Sequence, residues 1–185
     1  MAGAVRRRVR AAGTMVSMCS EPGRPAPYPV PDVAAYLAGR WYVARTVQDL
    51  RSGAEGSFRG LADFRPDPAG DGLLHTEEGE LTWGGTVHPA GRTLRLRPRP
   101  DGTAQIAFAD GRPFHDLDLR DGRWTAAHPC AADRYAGTFT AVGADAWHLV
   151  WRVGGPAKDQ LLRSVYRRAA DGATLADALD RLPLP

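Results

Sequence analysis

Several polar residues fall where strand alternation would hide them, and their types could do chemistry. In Phe114-His115-Asp116-Leu117-Asp118-Leu119, His115 shares a face with Leu117 and Leu119. Farther on, Trp124, Ala126, His128 and Cys130 share one face, and Tyr135, Gly137 and Phe139 share another. A hairpin about Asp121-Gly122 would set the first two groups side by side. Two imidazoles, a thiol and a phenol would then meet at one end of an apolar surface. Imidazole titrates near neutral pH and can move protons, and a nearby histidine can lower a thiol pKa enough for Cys130 to act as a nucleophile. The same groups could instead orient a molecule bound in an apolar wall, or be hydrogen-bonded within a core. His128-x-Cys130 with one distant histidine is not a zinc spacing, so no metal site is expected.

Lys158 stands alone among 23 arginines, in Gly154-Gly155-Pro156-Ala157-Lys158-Asp159. One reading is a requirement for a compact ammonium; the other is a turn with a local Lys–Asp pair. The stretch is not a phosphate loop, because the Lys-Ser/Thr continuation and a following helix are missing. No Gly-x-Ser-x-Gly elbow, His-Glu-x-x-His helix or dinucleotide fingerprint occurs either. Glu77, Glu78 and Glu80 read as a solvated hairpin, since neighbouring strand positions face opposite ways. Arg92, Arg95, Arg97 and Arg99 read as an outer stripe able to meet phosphates or a partner, or as a solvated wall.

The elements that would position these residues are short strands. Asp32 is placed to cap a helix over Val33 to Leu37, and Gly39 to stop it. Alternating patterns then predict strands near 40–49, 56–65, 73–78, 80–88, 92–98, 103–109, 113–119, 123–129, 134–142, 146–153 and 160–168. Asp71-Gly72, Asp101-Gly102, Asp110-Gly111 and Asp121-Gly122 supply tight turns. Asp171 to Leu182 reads as a short outer helix. About ten strands so joined imply an antiparallel up-and-down barrel, because twist curls a sheet that wide and closure removes its edges. A β-sandwich is the alternative.

A chain of 185 residues suits one domain, and no apolar run approaches a membrane span. The net charge of +3 invites nucleic acid as a partner, but its distribution argues against one. Residues 1–31 hold five arginines against Glu21 alone, and the remaining chain holds 19 basic and 20 acidic residues. The Arg/Pro-rich residues 1–31 read as a disordered extension, or as a start placed upstream of Met15 or Met18. Residues 32–170 form the barrel domain, and 171–185 the helix and tail. Cys19 and Cys130 do not make a disulfide framework, which suits a reducing cytoplasm.

The stretches Leu37-Ala38-Gly39-Arg40-Trp41, Asp110-Gly111-Arg112-Pro113-Phe114-His115-Asp116-Leu117, His128-Pro129-Cys130-Ala131-Ala132-Asp133-Arg134-Tyr135 and Gly155-Pro156-Ala157-Lys158-Asp159 resemble the DUF6314 family over roughly residues 36–168. That resemblance implies a domain with no assigned activity, so no catalytic residue is carried over. Gly39-Arg40-Trp41 after a short helix is also similar to the first strand of lipocalin and calycin barrels. This likeness implies a small-molecule-binding barrel whose last strand lays an arginine on the tryptophan, here Arg167 or Arg168. It extends to haem-binding nitrobindin-type barrels, but their Gly-rich extension is replaced by Trp41-Tyr42-Val43-Ala44, so no cofactor is expected and haem is the sole candidate.

The leading expectation is a calycin-like barrel binding a small, mostly apolar ligand. Trp41, Phe58, Trp124, Phe139 and Trp151 would line its lumen, with His115, His128, Cys130, Tyr135 and Lys158 as polar contacts. The alternatives are an isomerase or hydrolase using the same cluster, with His115 or His128 as acid/base, and an interaction module using the outer arginines. Neither nucleic acid nor membrane is expected as a partner.

Overall fold

The computed structural model describes residues 26–130 and 132–185, so Cys19 and residues 1–25 lie outside the described residues. Asp32 accepts a hydrogen bond from the Ala35 amide at 3.0 Å and caps α1 (Val33–Leu37), which buries Val33 and Leu37. Gly39 then takes a φ of +105°, which side chains disfavour, and turns the chain into the first strand.

The strands are β1 (Gly39–Asp49), β2 (Glu55–Pro66), β3 (Leu73–Trp83), β4 (Thr86–Pro98), β5 (Ala104–Phe108), β6 (Pro113–Leu117), β7 (Arg123–Cys130), β8 (Asp133–Gly143), β9 (Ala146–Gly154) and β10 (Asp159–Arg168). They form one antiparallel sheet in the order β6-β5-β4-β3-β2-β1-β10-β9-β8-β7. Pairing of β1 with β10 curls this meander into a nearly closed up-and-down barrel. A final helix, α2 (Leu175–Arg181), is held by a capping box between Thr174 and Asp177. It lies outside the wall, where Ala178 and Leu182 pack with Tyr42 and Ala44 of β1.

Two expectations about the strands need correction. Residues 73–98 make two long strands rather than three, because the turn lies at Gly84-Gly85, with φ of +57° and +80°. Gly79 is instead a strand residue opposite Gly60, and both are needed for space. A Cβ at either position would come within 2.8 Å of the Phe58 ring.

The second correction concerns β6 and β7, which do not form the expected hairpin but stand at the two edges of the sheet. Leu119 and Gly122 close a turn, but their remaining backbone bonds go to residues outside β6 and β7. The Val30 and Gly122 amides both donate to the Leu119 carbonyl, and the Ala141 amide donates to the Gly122 carbonyl. Tyr28 also donates to the Ala141 carbonyl at 2.9 Å. Residues assigned to the lead-in by sequence thus wedge beneath the seam, with Val30 buried. Across the seam, the Trp124 indole N–H donates to the Asp116 carbonyl at 2.7 Å.

Strand direction gives the barrel two unlike ends. One end carries α1 and the β4–β5 and β8–β9 turns, and it is closed. The Val33 amide donates to the Gly102 carbonyl, and the Tyr36 hydroxyl donates to the carbonyls of Gly143 and Ala146. Trp41 lies beneath this cap, donating to the Leu37 carbonyl at 2.7 Å. Arg168 covers the Trp41 ring, 4.1 Å from its centroid, and donates to the carbonyls of Tyr36 and Ala38. The expected arginine on tryptophan is therefore Arg168. The other end, the mouth, carries the β5–β6, β7–β8 and β9–β10 turns.

Candidate functional site

Phe114 determines what the mouth can do. It is the second residue of β6, a five-residue strand paired only with β5 and irregular in register at Ile106/Ala107. That irregularity lets Phe114 and His115 both contribute to the interior wall, against simple alternation. The half-buried Phe114 ring stacks on Trp151 with centroids 5.5 Å apart. His128 of β7 meets its edge at 4.9 Å, and Phe108 and Tyr135 complete the surround at 4.7 and 6.4 Å. Phe114 is therefore a plug ringed by aromatic side chains.

Below the plug lies a cavity of about 30 Å³, walled by Phe114, His115, Phe139, Trp147 and Trp151 on one side. Phe64, His75, Arg92, Leu94 and Ile106 wall the other side. This volume holds an ordered water or two but no organic molecule, so the lumen is mostly filled by side chains. His115 is fixed by its Nδ1, 2.8 Å from the Asp116 carbonyl, which leaves Nε2 to accept. Burial pulls the His115 pKa below the ordinary histidine value, so the ring is neutral at pH 7.

Not all ten sequence-selected residues meet here. Phe139, Trp151 and His115 reach the cavity, whereas His128 and Tyr135 belong to the ring at the mouth. Trp41 is committed to the closed end, Phe58 to the two glycines, and Trp124 to the seam. Cys130 pairs with Asp133 through the β7–β8 backbone; its side chain lies outside the described residues. The ammonium of Lys158 pairs with Asp133 at 2.7 Å rather than with its neighbour Asp159, and it also donates to the Tyr135 hydroxyl at 3.3 Å. Those bonds, the Asp133 one first, raise the Lys158 pKa. A raised pKa keeps the ammonium charged, the opposite of an activated nucleophile.

Sequence reasoning missed the polar floor of the lumen. Glu77, assigned by sequence to solvent, is 1% exposed. Arg45 donates to its carboxylate at 2.9 Å and Arg92 at 2.7 Å, while the Tyr166 hydroxyl donates at 2.6 Å. Burial would raise the Glu77 pKa, but the charges of Arg45 and Arg92 outweigh it and hold the carboxyl well below the usual range. For Tyr166, burial and then the Glu77 charge push the hydroxyl up to about 12. Arg45 also donates to Ser164 at 2.8 Å and lies over the Phe58 ring. His75 stacks on Phe64 at 4.1 Å and is kept neutral by burial.

Arg92 therefore faces inward, which corrects its assignment to the outer stripe. The remaining stripe residues have local partners: Arg95 with Asp67, Arg97 with Gln105, and Arg99 with Asp116. A signal for the floor was present, since His75 and Glu77 share parity with Leu73 and Leu81, and Arg92 with Leu94 and Leu96. Breaking the strand near Gly79 concealed it. Haem does not fit these residues, because a cavity of about 30 Å³ beside His115 has no space for a macrocycle.

A ten-stranded up-and-down barrel with Gly-x-Trp opening its first strand and an arginine from the last strand on that tryptophan is a calycin-like barrel. The chain belongs to the DUF6314 family, a family of unknown function whose model matches residues 37–168. Among solved structures, it is similar to the S-type phycobiliprotein lyase CPES from Guillardia theta, with a TM-score of 0.55 and 9% identity over 74% of this chain and 90% of that one. At that identity the likeness shows the fold alone. A DUF3598-family protein of unknown function from Nostoc punctiforme matches with a TM-score of 0.42 and 11% identity, covering 80% of this chain and 53% of that one. A designed fluorescence-activating β-barrel matches with a TM-score of 0.38 and 14% identity over 75% and 98%. No curated protein matches the sequence. Among the described residues, no helix is long and apolar enough to cross a membrane.

Proposed function

We propose that the protein binds one small, mostly apolar molecule in its lumen, admitted at the mouth when Phe114 swings aside. The supporting observation is that the plug over the aromatic cavity sits on a short edge strand bordering the unpaired seam. Phe139 and Trp151, by contrast, are held on strands paired on both sides, and the Trp124 indole by its own hydrogen bond. Moving Phe114 merges its volume with the cavity and exposes Trp151 and Phe139 to the guest. A reducing, cytoplasmic compartment suits the reading, since the sequence has only two cysteines.

His115 and His128 each stand edge-on to the Phe114 ring, at 4.8 and 4.9 Å. A guest that takes the plug's place would lie against both imidazoles, which serve as polar contacts in this reading.

The test uses a neutral hydrophobic dye such as Nile red, with Trp fluorescence as the second readout. Phe114→Ala should bind the dye about tenfold more tightly than wild type, because the plug no longer has to be displaced. Dye binding that is absent from both proteins, or unchanged by the substitution, would overturn the reading.

A further inference from the structure

Among the described residues, buried side-chain polar atoms without a partner are few: His75 Nε2, Arg92 Nε, Trp147 Nε1 and Asp159 Oδ1. Three of these belong to residues that wall the cavity beneath Phe114. Arg92 Nε and Trp147 Nε1 are obligate donors. His75 Nε2 lies 3.5 Å from Glu77 Oε1, too far for a good hydrogen bond. Buried donors left unpaired are costly, and here they sit on residues gathered around one space.

The charge balance points the same way. The floor contains two guanidinium groups, from Arg45 and Arg92, against the single carboxylate of Glu77. Tyr166 and His75 are neutral, so one positive charge is left over. Arg45 and Glu77 are the more deeply buried pair, with side chains 12% and 1% exposed. Arg92, whose side chain is 33% exposed, carries the surplus, and the same residue lines the cavity. An apolar cavity whose lining residues carry a surplus cation and two unpaired donors matches an amphipathic anion.

We infer that the lumen ligand is an apolar molecule with one carboxylate-type head, which accepts from Arg92 Nε and Trp147 Nε1 while its body takes the space vacated by Phe114. This inference rests on lumen binding and names the ligand class. The head would satisfy both donors and neutralise the surplus charge, while Glu77 keeps Arg45 in place. A water molecule in the same position would satisfy the donors but leave the charge uncompensated.

Calorimetric titration of the full chain at pH 7 with decanoate, decanol and decylamine tests this. Decanoate should bind wild type at least about tenfold more tightly than decanol, with decylamine weakest. Arg92→Met should remove the preference for decanoate while leaving decanol binding in place, because Arg45 and Glu77 remain a neutral pair. Arg92→Lys should retain part of the preference, and Trp147→Phe, which keeps a ring but loses the donor, should weaken decanoate alone. Near-UV circular dichroism checks that each variant is folded. Equal binding of decanoate and decanol, or a preference that survives Arg92→Met, would overturn the anionic head and leave lumen binding standing. Binding of none of the three would overturn both.

Discussion

Glu77 ties together three side chains of the barrel interior. Its carboxylate accepts from Arg45, Arg92 and Tyr166 inside the wall, so removing it leaves two guanidinium groups facing one another. Glu77→Gln is therefore expected to cost about 3–5 kcal/mol in urea denaturation at pH 7. The pH dependence has a definite sign. The Glu77 pKa is depressed in the folded state, so its stabilisation is complete above the ordinary glutamate range and is lost as pH falls through the lower folded value. Wild type should lose stability steeply in that acid window, and Glu77→Gln should show a flatter profile. The histidines act at a higher pH. Burial lowers the folded pKa of His115, so the unfolded chain takes up a proton first as pH falls below about 6.5. Stability should decline from pH 7 to 5, and His115→Phe should reduce that slope in the same urea measurements.

The weak element is β6, which has five residues, one paired neighbour and an irregular register. Its hold on β7 across the seam includes one side-chain bond, from Trp124 to the Asp116 carbonyl. Amide hydrogen exchange should be faster in β6 than in the strands at the centre of the sheet, and Trp124→Phe should accelerate it further while leaving β1 and β10 unchanged. Slow exchange throughout β6 would contradict a mobile plug. The same stretch shows how far the sequence could be read. Alternation and Asp-Gly turns were enough for an up-and-down barrel, because both are local signals. The seam was illegible because Leu119 and Gly122 are bonded by Val30 and Ala141, and Ala141 in turn by Tyr28, all remote in sequence. Phe114 and His115 could not both be placed inward from a period of two, since a register irregularity puts them there. Arg168 on Trp41 was legible only through a family likeness, whereas the Arg45–Glu77–Arg92 floor was concealed by one misplaced turn.

At the scale of the whole molecule, the two ends divide the work. The cap of α1, Trp41 and Arg168 seals one end with several bonds, and the mouth is closed by the Phe114 ring among its aromatic neighbours. A half-buried plug implies a modest penalty for opening, so Phe114→Ala should lower stability by about 2–3 kcal/mol, less than a fully buried phenylalanine would cost. The near-neutral barrel contrasts with its concentrated interior charge, and this contrast gives the lumen a polar floor under an aromatic wall. The most direct measurement is chemical-shift mapping of the labelled protein by nuclear magnetic resonance during titration with decanoate. Lumen binding requires the largest changes at the indole N–H signals of Trp147 and Trp151 and along the backbone of β6. Changes confined to the outer wall around α2, or none at saturating ligand, would contradict it.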